Sequence, residues 1–302
     1  MEKEELTGYN VTFTAPSGYE YTIREQNGAD DDILSNPSEA STLINISRFI
    51  AGIVIDTNST TNRKLTVEQA HMMPSLDRYA ILIKSRILSN GEDLEFEYDW
   101  GPDGGGKSTY CQPLDEYLFD YSKEIDDDTL ASKPNAIKPY PLKDKTKDIA
   151  FSLSSGKEVK FDLLTGASES YLVNLPLEQR TQNKALVARN LCLLVDGKWE
   201  KVSSFHLFSM KDMREIRTNV KAIDPEFSGI CTLMNPHNGM SADINIMAIK
   251  DFSIRGDLER DFFYLHQAKI RISFTELLYL PIRRRLKLLK LASDYFGSLN
   301  KK

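Results

Sequence analysis

Two periodicities alternate along this chain. Near the start, TFTAPSGYEYTIR places apolar residues at alternate positions in a stretch such as Tyr19-Glu20-Tyr21-Thr22-Ile23, after a Ser17-Gly18 pair. That pattern predicts a β-hairpin whose turn needs the backbone freedom of glycine, with Gly28 ending its second strand. MPSLDRYAILIKSRIL (73–88) then shifts to a helical period, with Leu76, Ala80, Ile83 and Ile87 spaced i, i+4, i+7 and i+11. LEFEYDW (94–100) returns to strict alternation, as a half-exposed antiparallel strand does. Past residue 256 the pattern becomes helical again. LERDFFYLHQAKIRI carries Leu258, Phe262, Leu265 and Ile272 near one stripe, Ser273 and Glu276 have capping-box spacing, and Pro281 suits the start of PIRRRLKLLKLASDYF.

The succession occurs twice. Residues 12–34 align without a gap to residues 150–172, AFSLSSGKEVKFDLLTGASESYL, at an offset of 138. Phe13 falls on Phe151, Gly18 on Gly156, Glu20 on Glu158, Gly28 on Gly166 and Leu34 on Leu172. SRFIAGIVID (47–56) matches ARNLCLLVDG (188–197), read as an apolar helical stretch entering a loop. His71, Asp77 and Ile81 then fall on His206, Asp212 and Ile216. MKDMREIRTNVKAI sets Met213, Ile216 and Val220 on one face, and FSGICTLM (227–234) is the second extended stretch. The pattern x-Pro-x-x-Gly follows each time, as GPDGG (101–105) and NPHNG (235–239), and a strand with a short segment closes each copy near Tyr117–Phe119 and Ile246–Phe252. The expected fold is therefore α+β: a hairpin-sheet-plus-helices module over 1–121, a second over 148–255, and a C-terminal helical hairpin over 256–302. Between the modules, residues 122–147 contain Pro134, Pro139 and Pro141 among polar residues and read as a surface linker.

Composition narrows the class. A chain of 302 residues with 41% hydrophobic and 27% charged residues is long enough for two modules and an ordinary core. The formal net charge of −6 gives no electrostatic reason to expect nucleic acid. No apolar run is long enough to cross a bilayer, and the acidic start MEKEE is unlike a signal peptide. Three widely spaced cysteines, Cys111, Cys192 and Cys231, read as buried small hydrophobes made in a reducing cytoplasm.

Several motifs invite chemistry. GPDGGGKS (101–108) satisfies G-x-x-x-x-G-K-S, in which Gly106, Lys107 and Ser108 would serve a bound nucleotide. The alternating strand before it is not a buried parallel one, and Pro113 falls where the second turn of the required helix would form, so a Gly-rich solvent turn is the better reading. His71 with Asp77 and His206 with Asp212 could suggest acid–base work, but no nucleophile stands in a recognisable elbow near them. Asp30-Asp31-Asp32 and Asp126-Asp127-Asp128 lack the spacing of a calcium loop and read as solvated loops. Arg283, Arg284, Arg285, Lys287 and Lys290 lie on a helix whose apolar positions include Ile282, Leu286, Leu289 and Phe296, which suggests a basic face for an acidic partner.

The words FTAPSG, MMPSLDRYAILIKSRILSNGEDLEFEY and GPDGG, with FSLSSGKEVKFDLLTGASE and the apolar KDF (250–252) of the second copy, resemble the T4-like phage baseplate hub and tail-assembly proteins in duplicated form. The resemblance covers most of the chain and rests on spacing and short words. It implies a non-enzymatic part in building a tail baseplate by contact with other tail and baseplate proteins in an oligomeric assembly. It also implies a place in the host-cell cytoplasm during assembly, either left behind there or carried into the virion tail. The family pattern includes a Cys-Pro-x-Cys-Gly knuckle. Here Gly101 and Gly104, then Asn235 and Asn238, stand at the cysteine positions, so no zinc site and no cofactor is expected. A P-loop nucleotide-binding protein is the alternative, and an adaptor outside any phage particle is a third reading.

Overall fold

A computed structural model describes residues 9–143, 145–248 and 258–299. The start MEKEE, the segment KDF and the end of the second module past residue 248 lie outside the described residues.

The first module opens with the expected hairpin. Strands β1 (Asn10–Thr14) and β2 (Glu20–Arg24) pair antiparallel, and Gly18 takes a φ of 94° in the turn between them. Asn27 caps α1 (Gly28–Leu34) in a full capping box with Asp30. The short α2 (Pro37–Ala40) leads to α3 (Ile44–Ile53), whose Phe49, Ile50 and Ile53 are fully buried. The chain then forms β3 (Val54–Thr57), which adds to β2, so the stretch read as helix into loop is helix into strand. Next come α4 (Val67–His71), the long α5 (Ser75–Asn90), and a second hairpin of β4 (Asp93–Asp99) and β5 (Lys107–Pro113). A 3-10 turn over Leu114–Tyr117 stands where the closing strand was expected.

The connecting region is not all surface. It holds α6 (Asp127–Ser132), then buries Ala136, Ile137 and Tyr140. The Ile137 N–H donates to the Tyr117 carbonyl, the Tyr140 N–H to that of Pro16, and the Tyr121 hydroxyl to that of Ile137. Apolar residues spaced among prolines fill a gap against the first module, so the expected linker is partly core.

The second module repeats the order. Strands β6 (Ile149–Ser152) and β7 (Glu158–Phe161) pair around Gly156, whose φ is 83°, and Thr165 caps α7 (Gly166–Val173). Then follow α8 (Gln182–Ala188), β8 (Cys192–Val195) paired to β7, and α9 (Met210–Ile223). A closing hairpin of β10 (Ile230–Met234) and β11 (Ser241–Asn245) ends in a 3-10 turn at Ile246–Ala248. An added strand β9 (Lys198–Lys201) extends the sheet to four strands, where the first module has a loop. Phe13 packs against Tyr21, and Phe151 against Phe161, each across its own hairpin. Both modules contribute to one continuous apolar core.

The C-terminal region is helical, with α10 (Leu258–Gln267), α11 (Phe274–Tyr279) and α12 (Ile282–Leu299). The Ser273–Glu276 capping box starts the short α11, and the long final helix begins after Pro281. These helices bury a separate small cluster, Leu265, Ala268, Leu277 and Ala292. Their arrangement copies part of a module. Thr66 with Gln69 and Ser273 with Glu276 are both capping boxes, Ala70 and Leu277 are buried behind them, and Pro74 and Pro281 each precede a long helix. Arg78 and Arg285 follow at the same interval, and both are buried.

Candidate docking site

Two elements recur in two of the joints between these units. One is the junction where a β-strand passes into a Gly-started helix: Gln26–Asp31 in the first module, Leu164–Glu169 in the second. The other is the entry into a long helix, Met73–Tyr79 or Leu280–Leu286. In the first joint, Pro74 forms an isolated antiparallel bridge with Thr165. The Ser75 N–H donates to the Leu164 carbonyl at 2.8 Å, and the Gly166 N–H donates back to the Met73 carbonyl at 3.3 Å. Arg78, only 2% exposed, lies across Gly166 so closely that a Cβ there would stand 2.4 Å from its Cζ. Its Nη1 donates to the Ala70 carbonyl at 2.6 Å and to Ser47 Oγ at 3.1 Å, while Nε stands 4.0 Å from Glu169. The Tyr79 hydroxyl donates to the same Glu169 at 2.6 Å. Burial holds the Arg78 pKa below its ordinary value and that of Tyr79 above it.

The second joint uses the equivalent residues. Pro281 bridges Asn27, the Ile282 N–H donates to the Gln26 carbonyl at 3.1 Å, and the Arg283 N–H donates to Glu25 Oε1 at 2.8 Å. A Cβ on Gly28 would lie 2.4 Å from Leu258 Cδ1 and 3.0 Å from the Leu278 carbonyl oxygen. Arg285 is 2% exposed, with its Nε 3.5 Å from Asp261. Asp31 occupies the place of Glu169. Burial pushes its carboxyl up to about 7, against the opposing pull of Arg285.

Each junction is also tied to its own module. The Gln26 N–H donates to Ser89 Oγ at 3.0 Å, and the matching Leu164 N–H donates to Asp224 at 3.0 Å. Asp224 also receives Arg189 Nε at 2.6 Å in a buried ion pair.

The basic residues expected on one face are therefore divided. Arg285 is inside the chain, and Arg283 is half-buried with its guanidinium 5.5 Å from the Tyr9 ring centroid. Lys287 and Lys290 are exposed and Arg284 is half-buried. Leu286, read as one of that helix's apolar positions, is exposed. Cys111 is exposed too, although Cys192 and Cys231 are buried as read.

The remaining motifs are dispersed. Lys107 and Ser108 open β5, not a helix, and Lys107 pairs with Glu97 at 3.5 Å in solvent. Gly106 lies in the turn before them with a φ of 80°. His71 Nδ1 meets Ser47 Oγ at 2.9 Å, whereas Asp77 accepts from the Ser17 N–H, the Ser17 hydroxyl and the Tyr21 hydroxyl. His206 contacts Ser204, whereas Asp212 caps α9 and takes Lys157 at 2.9 Å, so neither His is joined to its Asp. Asp30 pairs with Arg24 at 2.7 Å and Asp126 caps α6. Among the described residues no cluster of His, Cys, Asp and Glu could hold a metal.

The two knuckle loops do meet. Asn235 Nδ2 donates to the Gly104 carbonyl at 2.8 Å, the Tyr110 hydroxyl donates to that of Met234 at 2.9 Å, and His237 packs against Gly105. Positions that carry cysteines in the resembled pattern are here joined by an amide hydrogen bond. Compared with family models, curated proteins and solved structures, the chain gives no match.

Proposed function

We propose that the chain is a non-enzymatic structural or assembly component of a tailed-particle baseplate or hub, acting through protein–protein contacts. The observation that carries this reading is the docking joint used twice. A strand-to-helix junction receives a helix entry through paired backbone bonds and a buried arginine, the kind of recurring contact that stacks one module on another. The sequence words that resemble those of tail-assembly proteins suggest the particle, and on this reading the partners are other tail and baseplate proteins. Mass spectrometry of purified tailed particles and of their assembly intermediates tests it. The chain is expected in one or both, and its absence from both rejects the reading.

A further inference from the structure

The units form a series: the C-terminal entry sits on the first module's junction, and the first module's entry sits on the second module's junction. One entry is left over. It belongs to the second module and comprises Phe208, Ser209, Met210 and the first turns of α9. Met210, the counterpart of Ser75, is 85% exposed, and Leu207 beside it is 49% exposed. The Met210 N–H and Phe208 carbonyl, counterparts of the two groups that bond across the first joint, make no such bond among the described residues. Arg214 stands exposed where Tyr79 reaches Glu169, with Lys211 exposed nearby. An apolar pair rimmed by cations fits a strand-to-helix junction with an acidic first turn. The first module's junction has this character, with Asp31 at the place of Glu169.

We propose that the C-terminal helices are a displaceable cap, and that the junction they cover, Gln26–Asp31, docks on the free α9 entry of a second copy of this chain. The cap is built for release. Its apolar cluster is separate from the main core, so it can lift without opening either module. Its joint leaves both Asp31 carboxylate oxygens and Arg285 Nη1 buried without hydrogen-bond partners. In the first joint Arg78 Nη2 is also without one, but Arg78 Nη1 donates twice and Glu169 accepts from Tyr79. In the exchanged joint Asp31 would face Arg214. Because an entry and a junction are different surfaces, the contact is head-to-tail and can continue from chain to chain. Terminal caps limit stacked repeats in this way. The inference concerns self-association alone and does not depend on which particle the chain serves.

Sedimentation velocity of the full chain over a concentration series tests it. The wild type is expected to stay monomeric, and Arg285→Glu, which sets like charges at Asp31, is expected to raise the weight-average mass at least twofold. Adding Met210→Asp or Arg214→Glu should return that variant to monomer. If Arg285→Glu fails to fold by circular dichroism, Leu277→Ala loosens the cap's own cluster without touching either module and should give the same result. Cap-loosened chains that remain monomeric, or that associate equally well with Met210→Asp present, overturn the proposal.

Discussion

Helices α5 and α9 hold equivalent places in two copies of one module, yet they live in different surroundings. Helix α5 is buried on nearly every side, including Ser75, Asp77, Arg78, Ser85, Arg86 and Ser89, because its own sheet, the second module and the cap surround it. Helix α9 buries one face, with Met213, Ile216 and Val220 inward, and leaves Lys211, Arg214 and Thr218 exposed. Position in the stack, more than local sequence, decides which polar residues are enclosed. Arg78 and Met213 show the consequence at aligned positions. The enclosed helix carries a cation with a shaped set of acceptors, while the outer helix carries an ordinary core methionine.

This comparison is most severely tested at Arg78. Removing one partner of a buried polar network strands the others, so Arg78→Ala is expected to cost about 3–5 kcal/mol by urea unfolding. At the outer helix Arg214→Ala is expected to stay within about 0.5 kcal/mol. Comparable losses at both sites would mean that α5 and α9 are equally enclosed. Gly166→Ala acts on the same joint from the other side. Its new Cβ meets a pinned guanidinium, so it should cost about 1–3 kcal/mol, as overpacking does.

A second test uses pH. Asp77 and Asp212 each occupy the third position of their helix and each touches its module's first hairpin turn. Burial raises the Asp77 carboxyl to about 6 despite its bonds from Ser17 and Tyr21. Lys157, Ser155 and the α9 cap hold Asp212 below the usual carboxylate range. The signs are opposite. The folded state holds the Asp77 proton more tightly, so that stabilisation is full below the ordinary value of 3.8 and is lost as pH rises through about 6. Asp212 stabilises above the ordinary carboxylate range, and its contribution is lost as pH falls through its depressed pKa. Asp77→Asn should therefore flatten the stability profile between about pH 4 and 6, by roughly 1–3 kcal/mol. Asp212→Asn should lower stability at neutral pH, and the gap should close in acid. Urea midpoints measured across the range would show both, and parallel profiles for the two variants would refute the distinction.

The duplication was legible because the residues that carry it are constrained by backbone geometry. Gly18 and Gly156 turn at positive φ, while a Cβ on Gly28 or Gly166 would crowd a packed neighbour at 2.4 Å, so both pairs stand out in a pattern that can be aligned. The α+β class and the antiparallel hairpin at LEFEYDW were legible for a similar reason, since strict alternation records one buried face. The cap's kinship to α4–α5 was harder to see. It lies in two capping boxes and two prolines, and the apolar residues between them have changed identity. The burial of Arg285 could not be read from a run of three arginines, because only the third faces the junction. Ala136, Ile137 and Tyr140 were hidden among prolines and lysines that suggested a surface path.

The smallest effect is expected at Lys107, where the two knuckle loops differ most in sequence. GPDGGGKS and NPHNGMS occupy equivalent hairpin tips, and the first alone carries a lysine in a phosphate-loop pattern. Phosphate binding by such a loop draws on backbone amides aligned at the start of a helix, whose dipole favours the anion. Here the residues after Gly106 pair with β4 instead, Lys107 opposite Asp99 and Ser108 opposite Tyr98. The Lys107 side chain is 65% exposed and its contact with Glu97 is a solvent ion pair, a class worth little because water screens it. Lys107→Ala should therefore change unfolding free energy by no more than about 0.5 kcal/mol, the range of surface substitutions. Asn235→Ala in the partner loop removes the amide bond to Gly104 and should cost about 1 kcal/mol. Calorimetry with ATP or GTP supplies the decisive contrast: saturable micromolar binding that Lys107→Ala abolishes would show that the tip has a role beyond joining the two hairpins.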